Sequence, residues 1–242
     1  MDIGKSLGFV FEDKKWVEKM LIGGLISLVP IIGAFWVMGY GVKLVRNVRN
    51  GDPEPLPEWE NFGDLLSDGF KLFVIYFVWA IPLIISYFPT LLPAILAQDA
   101  GGDTSAALGI VSACFGCLMT LYGLFYAVIS PALMVKFADI GEISAGLDFK
   151  GILDFVKKNL GQIVLVVIVG IAVSLIAQLV GLILCLIGIV FTLFWARIVM
   201  AHMIAQIDKD DRPQEQDVFK PATPLETLPE NSDDDSGHSI IS

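Results

Sequence analysis

From Gly161 to Ala205 the chain reads GQIVLVVIVGIAVSLIAQLVGLILCLIGIVFTLFWARIVMAHMIA. These are 45 residues whose only ionisable side chains besides cysteine are Arg197 and His202. A helix that crosses a bilayer needs about 20 predominantly apolar residues. The run is therefore long enough for two crossings, spanning about 161–180 and 182–205, with Gly181 as the expected turn. A soluble domain has no use for such a stretch, and the chain is placed in a membrane on this reading alone.

The rest of the composition agrees. Apolar residues make up 55% of the 242 positions and charged residues 17%, against roughly 45–50% and 25% in soluble domains. The mean hydropathy of +0.71 spreads the excess over most of the chain. The net charge of -10 is mostly a property of the C-terminus. From Asp208 onward ten acids face Lys209, Arg212 and Lys220, which accounts for -7. Nucleic acid is not expected as a partner. Residues 207–242 are polar, acidic and proline-containing, and cannot bury enough apolar surface to offset their ordering entropy. They read as a disordered cytoplasmic tail.

Upstream of the long run, residues 136–160 are polar. Asp148 has the position of an N-cap, with Phe149, Ile152, Leu153, Val156 and Leu160 on one face of the helix it opens. Further upstream, about 72–98 and 106–135 are each long enough to cross. They are joined by a loop that carries Asp99 and Asp103 and no cation, as the outer side of a membrane requires. Pro82, Pro89, Pro93 and Pro131 interrupt them, which a membrane helix tolerates where hydroxyls or neighbours satisfy the freed carbonyls. Gly109, Ala113, Gly116, Thr120, Gly123 and Ala127 form a stripe of small residues suited to close helix approach.

Between Arg46 and Lys71 the chain carries Asn50-Gly51, a helix-stop signal, then Pro53, Pro55 and Pro57, which hold it extended. Trp59, Phe62, Leu66 and Phe70 follow at helical spacing, as on a surface helix. The first apolar segment, about 20–45, is long for one crossing and short for two, with Pro30-Ile-Ile-Gly33 near its middle. One kinked helix and a tight hairpin both fit. Charge favours the hairpin, because only then do all lysines and arginines fall on or near one face. Residues 13–21, with Trp16, Val17, Met20 and Leu21 at helical spacing, read as an interfacial amphipathic helix. Trp16-Val-Glu-Lys-Met-Leu21 and Phe155-Val-Lys-Lys-Asn-Leu160 match in pattern, and Phe62–Phe73 is a looser copy. The first 20 residues carry eight charges and no continuous apolar core, so no signal peptide is expected.

The fold class that follows is an all-α integral membrane protein. Three helical hairpins, about five to six membrane helices, make a polytopic domain over 1–206. Each hairpin is preceded by an amphipathic interfacial helix.

Candidate sites are few. Arg197 is an intramembrane polar site, and an ionisable group at such a depth is a functional candidate by default; snorkelling to the headgroups is the bland alternative. Arg46, Arg49 and Trp59 are candidates for contact with lipid headgroups or a partner, against a plainer role as positive-inside anchors. No Asp or Glu falls inside an apolar run, which weakens a proton- or cation-coupled carrier. Cys114-Phe-Gly-Cys117 lacks a second ligand pair, and both cysteines, like Cys185, read as packing residues. No paired-His motif, Gly-x-Ser-x-Gly elbow or phosphate loop is present. No catalytic, metal or cofactor residues are assigned, no cofactor is expected, and the protein is not expected to be an enzyme.

The runs Gly39-Tyr-Gly-Val-Lys-Leu-Val-Arg46-Asn-Val-Arg49-Asn-Gly-Asp, Leu56-Pro-Glu-Trp59, Phe62-Gly-Asp-Leu-Leu-Ser-Asp-Gly-Phe70 and Phe11-Glu-Asp-Lys-Lys-Trp16 resemble the prokaryotic domain of unknown function 4013 over about residues 5–205. The resemblance implies a prokaryotic integral membrane protein and supplies no activity. The expected setting is the cell membrane, multi-pass, with both termini cytoplasmic. The expected partners are the lipid bilayer and either a homo-oligomer or other membrane proteins. The expected role is non-enzymatic membrane organisation or scaffolding, with a small-solute or ion transporter or channel as the alternative.

Overall fold

A computed structural model describes residues 1–184 and 187–209. The chain divides into a unit of Met1–Asp210 and a second unit of Asp211–Ser242. The acidic tail beyond Lys209 and Cys185 lie outside the described residues. Every regular element among the described residues is helical: α1 (Ile3–Glu12), α2 (Trp16–Ser27), α3 (Ile32–Asn50), α4 (Phe62–Asp99), α5 (Gly102–Ile140), α6 (Ile143–Leu147), α7 (Phe149–Lys158), α8 (Leu160–Ile183) and α9 (Ile187–Ala205).

Two of these stand out in length. α4 has 38 residues and α5 has 39, about 57 Å each at 1.5 Å per residue. They run against each other in opposite directions. Tyr126 Oη donates to the Tyr76 carbonyl at 3.2 Å, Tyr122 Oη to Trp79 at 2.8 Å and Ser112 Oγ to Thr90 at 2.6 Å. Pro131 frees the carbonyl four residues back, and Ser130 Oγ takes that carbonyl, Ala127, at 3.1 Å. This is how a proline is accommodated inside an apolar helix.

α3 lies against α4 with almost no space between the backbones. A Cβ added to Gly39 would collide with the carbonyl of Leu65, and one added to Gly69 with the carbonyl of Phe35. The expected small-residue stripe of α5 is not where such approach occurs. Gly109 and Gly123 meet nothing within 4 Å, and Gly116 meets only the Thr90 methyl at 3.9 Å.

Residues 20–45 are two helices. α2 stops at Ser27 and α3 starts at Ile32, with Ile31 at φ 64° in the connection. Other boundaries differ from expectation. Residues 62–70 are no separate surface helix but the opening turns of α4. Gly181 is not a turn. It lies inside α8 and packs on Ile189 and Thr192, and the helix continues to Ile183. α1 has no counterpart among the elements expected from sequence; its buried residues Ser6, Phe9 and Val10 mix polar with apolar. Cys114 and Cys117 are free and exposed, not packed.

The C-terminal ends of α3, α5 and α9 meet, because Arg49 bonds Asp139 and the carbonyls of Ala205 and Ile207. Their N-terminal ends therefore point the other way. The first end collects the buried polar side chains Ser6, Asp13, Lys19, Arg49, Asn159 and His202. At the other end Leu28, Val29, Ile31, Ile32, Phe88, Leu92, Ile183 and Leu184 are exposed.

Candidate functional site

The polar end is built by side chains that close helix termini. α3 stops because Gly51 takes a left-handed conformation, φ 82°, and returns its N–H to the Val48 carbonyl. That turn leaves Arg49 on the last turn of α3, facing the ends of α5 and α9. Arg49 is 6% exposed. Its Nε and Nη2 grip both oxygens of Asp139 at 2.8 and 2.9 Å, and Nη1 donates to Ala205 and Ile207 at 3.2 and 2.7 Å. One guanidinium thus satisfies carbonyls that the end of α9 would otherwise leave orphaned.

Arg46 sits one turn earlier. It pairs with Asp68 of α4, donates from Nε to the Ala138 carbonyl at 2.9 Å, and lies 5.8 Å from the Phe137 ring centroid. Trp59 is 9% exposed. It stacks on Tyr40 with centroids 4.3 Å apart, and its Nε1 donates to the Lys19 carbonyl at 2.9 Å. Arg49 and Trp59 therefore direct their polar groups into the chain, and Arg46 is the more accessible of the three, with its side chain 30% exposed.

Lys19 lies within the 13–21 segment that reads as an interfacial amphipathic helix. It is buried, with Nζ 2.7 Å from Asp13, 2.8 Å from the Leu56 carbonyl and 3.2 Å from Glu58. The Pro-rich loop folds back over α2 to supply two of those partners. His202 is also buried; it stacks on Phe9 at 4.2 Å, with Nδ1 2.9 Å from Ser6 Oγ, and so fastens α1 to α9. Neither arrangement is visible in local spacing, because Leu56 lies 37 residues from Lys19 and Ser6 lies 196 residues from His202.

Arg197 is in a different setting. It is exposed, and no hydrogen bond or ion pair to it occurs among the described residues. It borders a cavity of about 360 Å³ where α3, α4, α5, α8 and α9 come together, lined by Val37, Leu72, Met134, Val166 and Ile171 among others. The hydroxyls there are occupied: Tyr76 Oη donates to the Ser130 carbonyl at 3.3 Å and Ser130 Oγ to Ala127. No group of three or more His, Cys, Asp or Glu side chains among the described residues could hold a metal ion.

Phe62–Asp99, Gly102–Ile140, Leu160–Ile183 and Gly188–Ala205 are long and apolar enough to cross a membrane. With the buried polar side chains gathered at one end and these four helices leading away, the molecule has the architecture of a transmembrane protein. The chain belongs to the family described as Protein of unknown function (DUF4013), whose model matches residues 22–203. No curated protein and no solved structure matches it.

Proposed function

We propose that this is a non-enzymatic membrane-organising protein, with three helical hairpins entering the bilayer from the cytoplasmic face and returning to it. The observation that supports the reading is unequal helix length. α2 has 12 residues and extends only about 18 Å, against a hydrocarbon core about 30 Å thick. The α2–α3 pair then ends inside the lipid, with Leu25, Leu28, Val29, Ile31 and Ile32 exposed at its tip. The leaflet nearest the polar end holds six helices, and the far leaflet holds the four of α4, α5, α8 and α9. Extra cross-section on one side acts as a wedge. Both termini, the Pro-rich loop and α7 lie on the cytoplasmic side in this arrangement, where Arg46 and neighbouring cations face anionic headgroups. The uncovered length of α4 and α5 beyond Trp79 is where a second copy or another membrane protein would pack.

Reconstitution into liposomes tests this. The protein should reduce vesicle diameter or draw tubules, and should form oligomers; unchanged vesicles together with a strict monomer would remove the reading. A small-solute or ion pathway is the second reading, and Arg197 on its cavity is what favours it. Flux assays on the same liposomes, with Arg197→Ala alongside, separate the two.

A further inference from the structure

Arg197 is the only Lys or Arg between Gly161 and Ala205. It lies eight residues before the end of α9, about 12 Å along the helix. A guanidinium at that depth is costly unless something neutralises it. Among the described residues nothing does so. No Asp or Glu lines the cavity, and the Tyr76 and Ser130 hydroxyls already donate elsewhere. Arg197, with five N–H donors, is the one cation among the side chains that border this otherwise largely apolar space. Along the wall toward the polar end, the buried Ala201 and Ile204 line the same cavity, and beyond them Arg49 closes the end of α9. Ile171 on the opposite wall is 56% exposed, so the cavity opens sideways between α8 and its neighbours.

We infer that this crevice binds a single-chain anionic amphiphile. A carboxylate or phosphate-monoester head takes the Arg197 guanidinium in a charge-assisted, two-pronged pair. Its alkyl chain lies along Val37, Leu72, Met134 and Val166. The cation selects the charge of the head, and the apolar walls select the chain. A volume of about 360 Å³ is at the small end of ligand sites and suits one chain, not a whole two-chain lipid. The inference stands apart from both functional readings above, since a scaffold and a pathway could each hold such a ligand.

The test uses the full chain in phosphatidylcholine nanodiscs and tritiated palmitate as probe, with empty discs as background. Saturable binding is expected, displaced by dodecyl phosphate. Dodecanol and inorganic phosphate should compete at least tenfold more weakly. Arg197→Gln should weaken binding tenfold or more, and Arg197→Lys less. Ala127→Phe, which fills the cavity and keeps the cation, should abolish binding without lowering the melting temperature. If Arg197→Gln fails to fold, Ala127→Phe carries the test alone. Unchanged binding in either folded variant overturns the inference. So does equal competition by dodecanol or inorganic phosphate. Displacement by phosphatidylglycerol discs as effective as by dodecyl phosphate also overturns it, since the occupant would then be a bilayer phospholipid.

Discussion

Arg49 and Asp139 are 90 positions apart in sequence and form a two-pronged ion pair at 2.8 and 2.9 Å, the arginine side chain almost wholly enclosed. It joins the last turn of α3 to the last turn of α5, and the same guanidinium holds the end of α9. Removing the carboxylate charge leaves a buried cation under-compensated. Asp139→Asn should therefore destabilise the protein by about 1–2 kcal/mol, less than for a fully buried pair because Asp139 itself is exposed to solvent. Arg49→Lys should also cost stability, because an ammonium cannot match the planar fork. Unfolding in detergent, followed by circular dichroism, measures both; a change under about 0.5 kcal/mol in Asp139→Asn would show that the pair is dispensable.

The contact between α3 and α4 depends on missing side chains. Gly39→Ala places a methyl group on the Leu65 carbonyl and must push the helices apart. A loss of about 1–3 kcal/mol is expected, as for other overpacked sites. Gly123→Ala meets nothing and should stay within about 0.5 kcal/mol of the parent in the monomer. Equal effects at the two positions in thermal melts would contradict the packing described.

Lys19 and Asp13 test the folding-back of the Pro-rich loop. Lys19→Ala leaves the Asp13 carboxylate enclosed without its cation and removes the donor to Leu56. The single substitution should cost about 3 kcal/mol. Lys19→Met combined with Asp13→Asn should cost less than the sum of the two singles, because they share one interaction. Limited proteolysis within residues 51–61 should quicken in Lys19→Ala. An unaltered cleavage rate there, with unaltered stability, would mean the loop is held by other contacts.

Sequence periodicity made part of this legible. Apolar runs located α4, α5, α8 and α9 because lipid demands length and hydrophobicity of each helix separately. Asn50-Gly51 marked the end of α3, and Asp148 marked the start of α7, where it accepts from the Gly151 N–H at 3.0 Å. Both signals act within a few residues. The failures share the opposite cause. α1 carries no clear local signal because its buried face includes Ser6, whose long-range partners His202 and Gln206 come from the far end of the chain. Lys19 reads as solvated because the loop residues that cover it, Leu56 and Glu58, come from another segment. The α5 glycines looked like a close contact, yet Gly39 and Gly69 make the tight one, since the choice depends on which face each helix turns to its neighbour. Arg197 was visible as a lone cation, but its cavity needs five helices brought together.

In the proposed arrangement the polar end stays on one side of the lipid while the α2–α3 tip stays within it. Single cysteines at Lys5, Ile31 and Asp103, in a background lacking Cys114, Cys117 and Cys185, can be challenged with a membrane-impermeant maleimide in sealed cells. The predicted result is labelling of Asp103→Cys in intact cells, of Lys5→Cys only after permeabilisation, and of Ile31→Cys in neither state. Labelling of Ile31→Cys or Lys5→Cys from outside intact cells would contradict it.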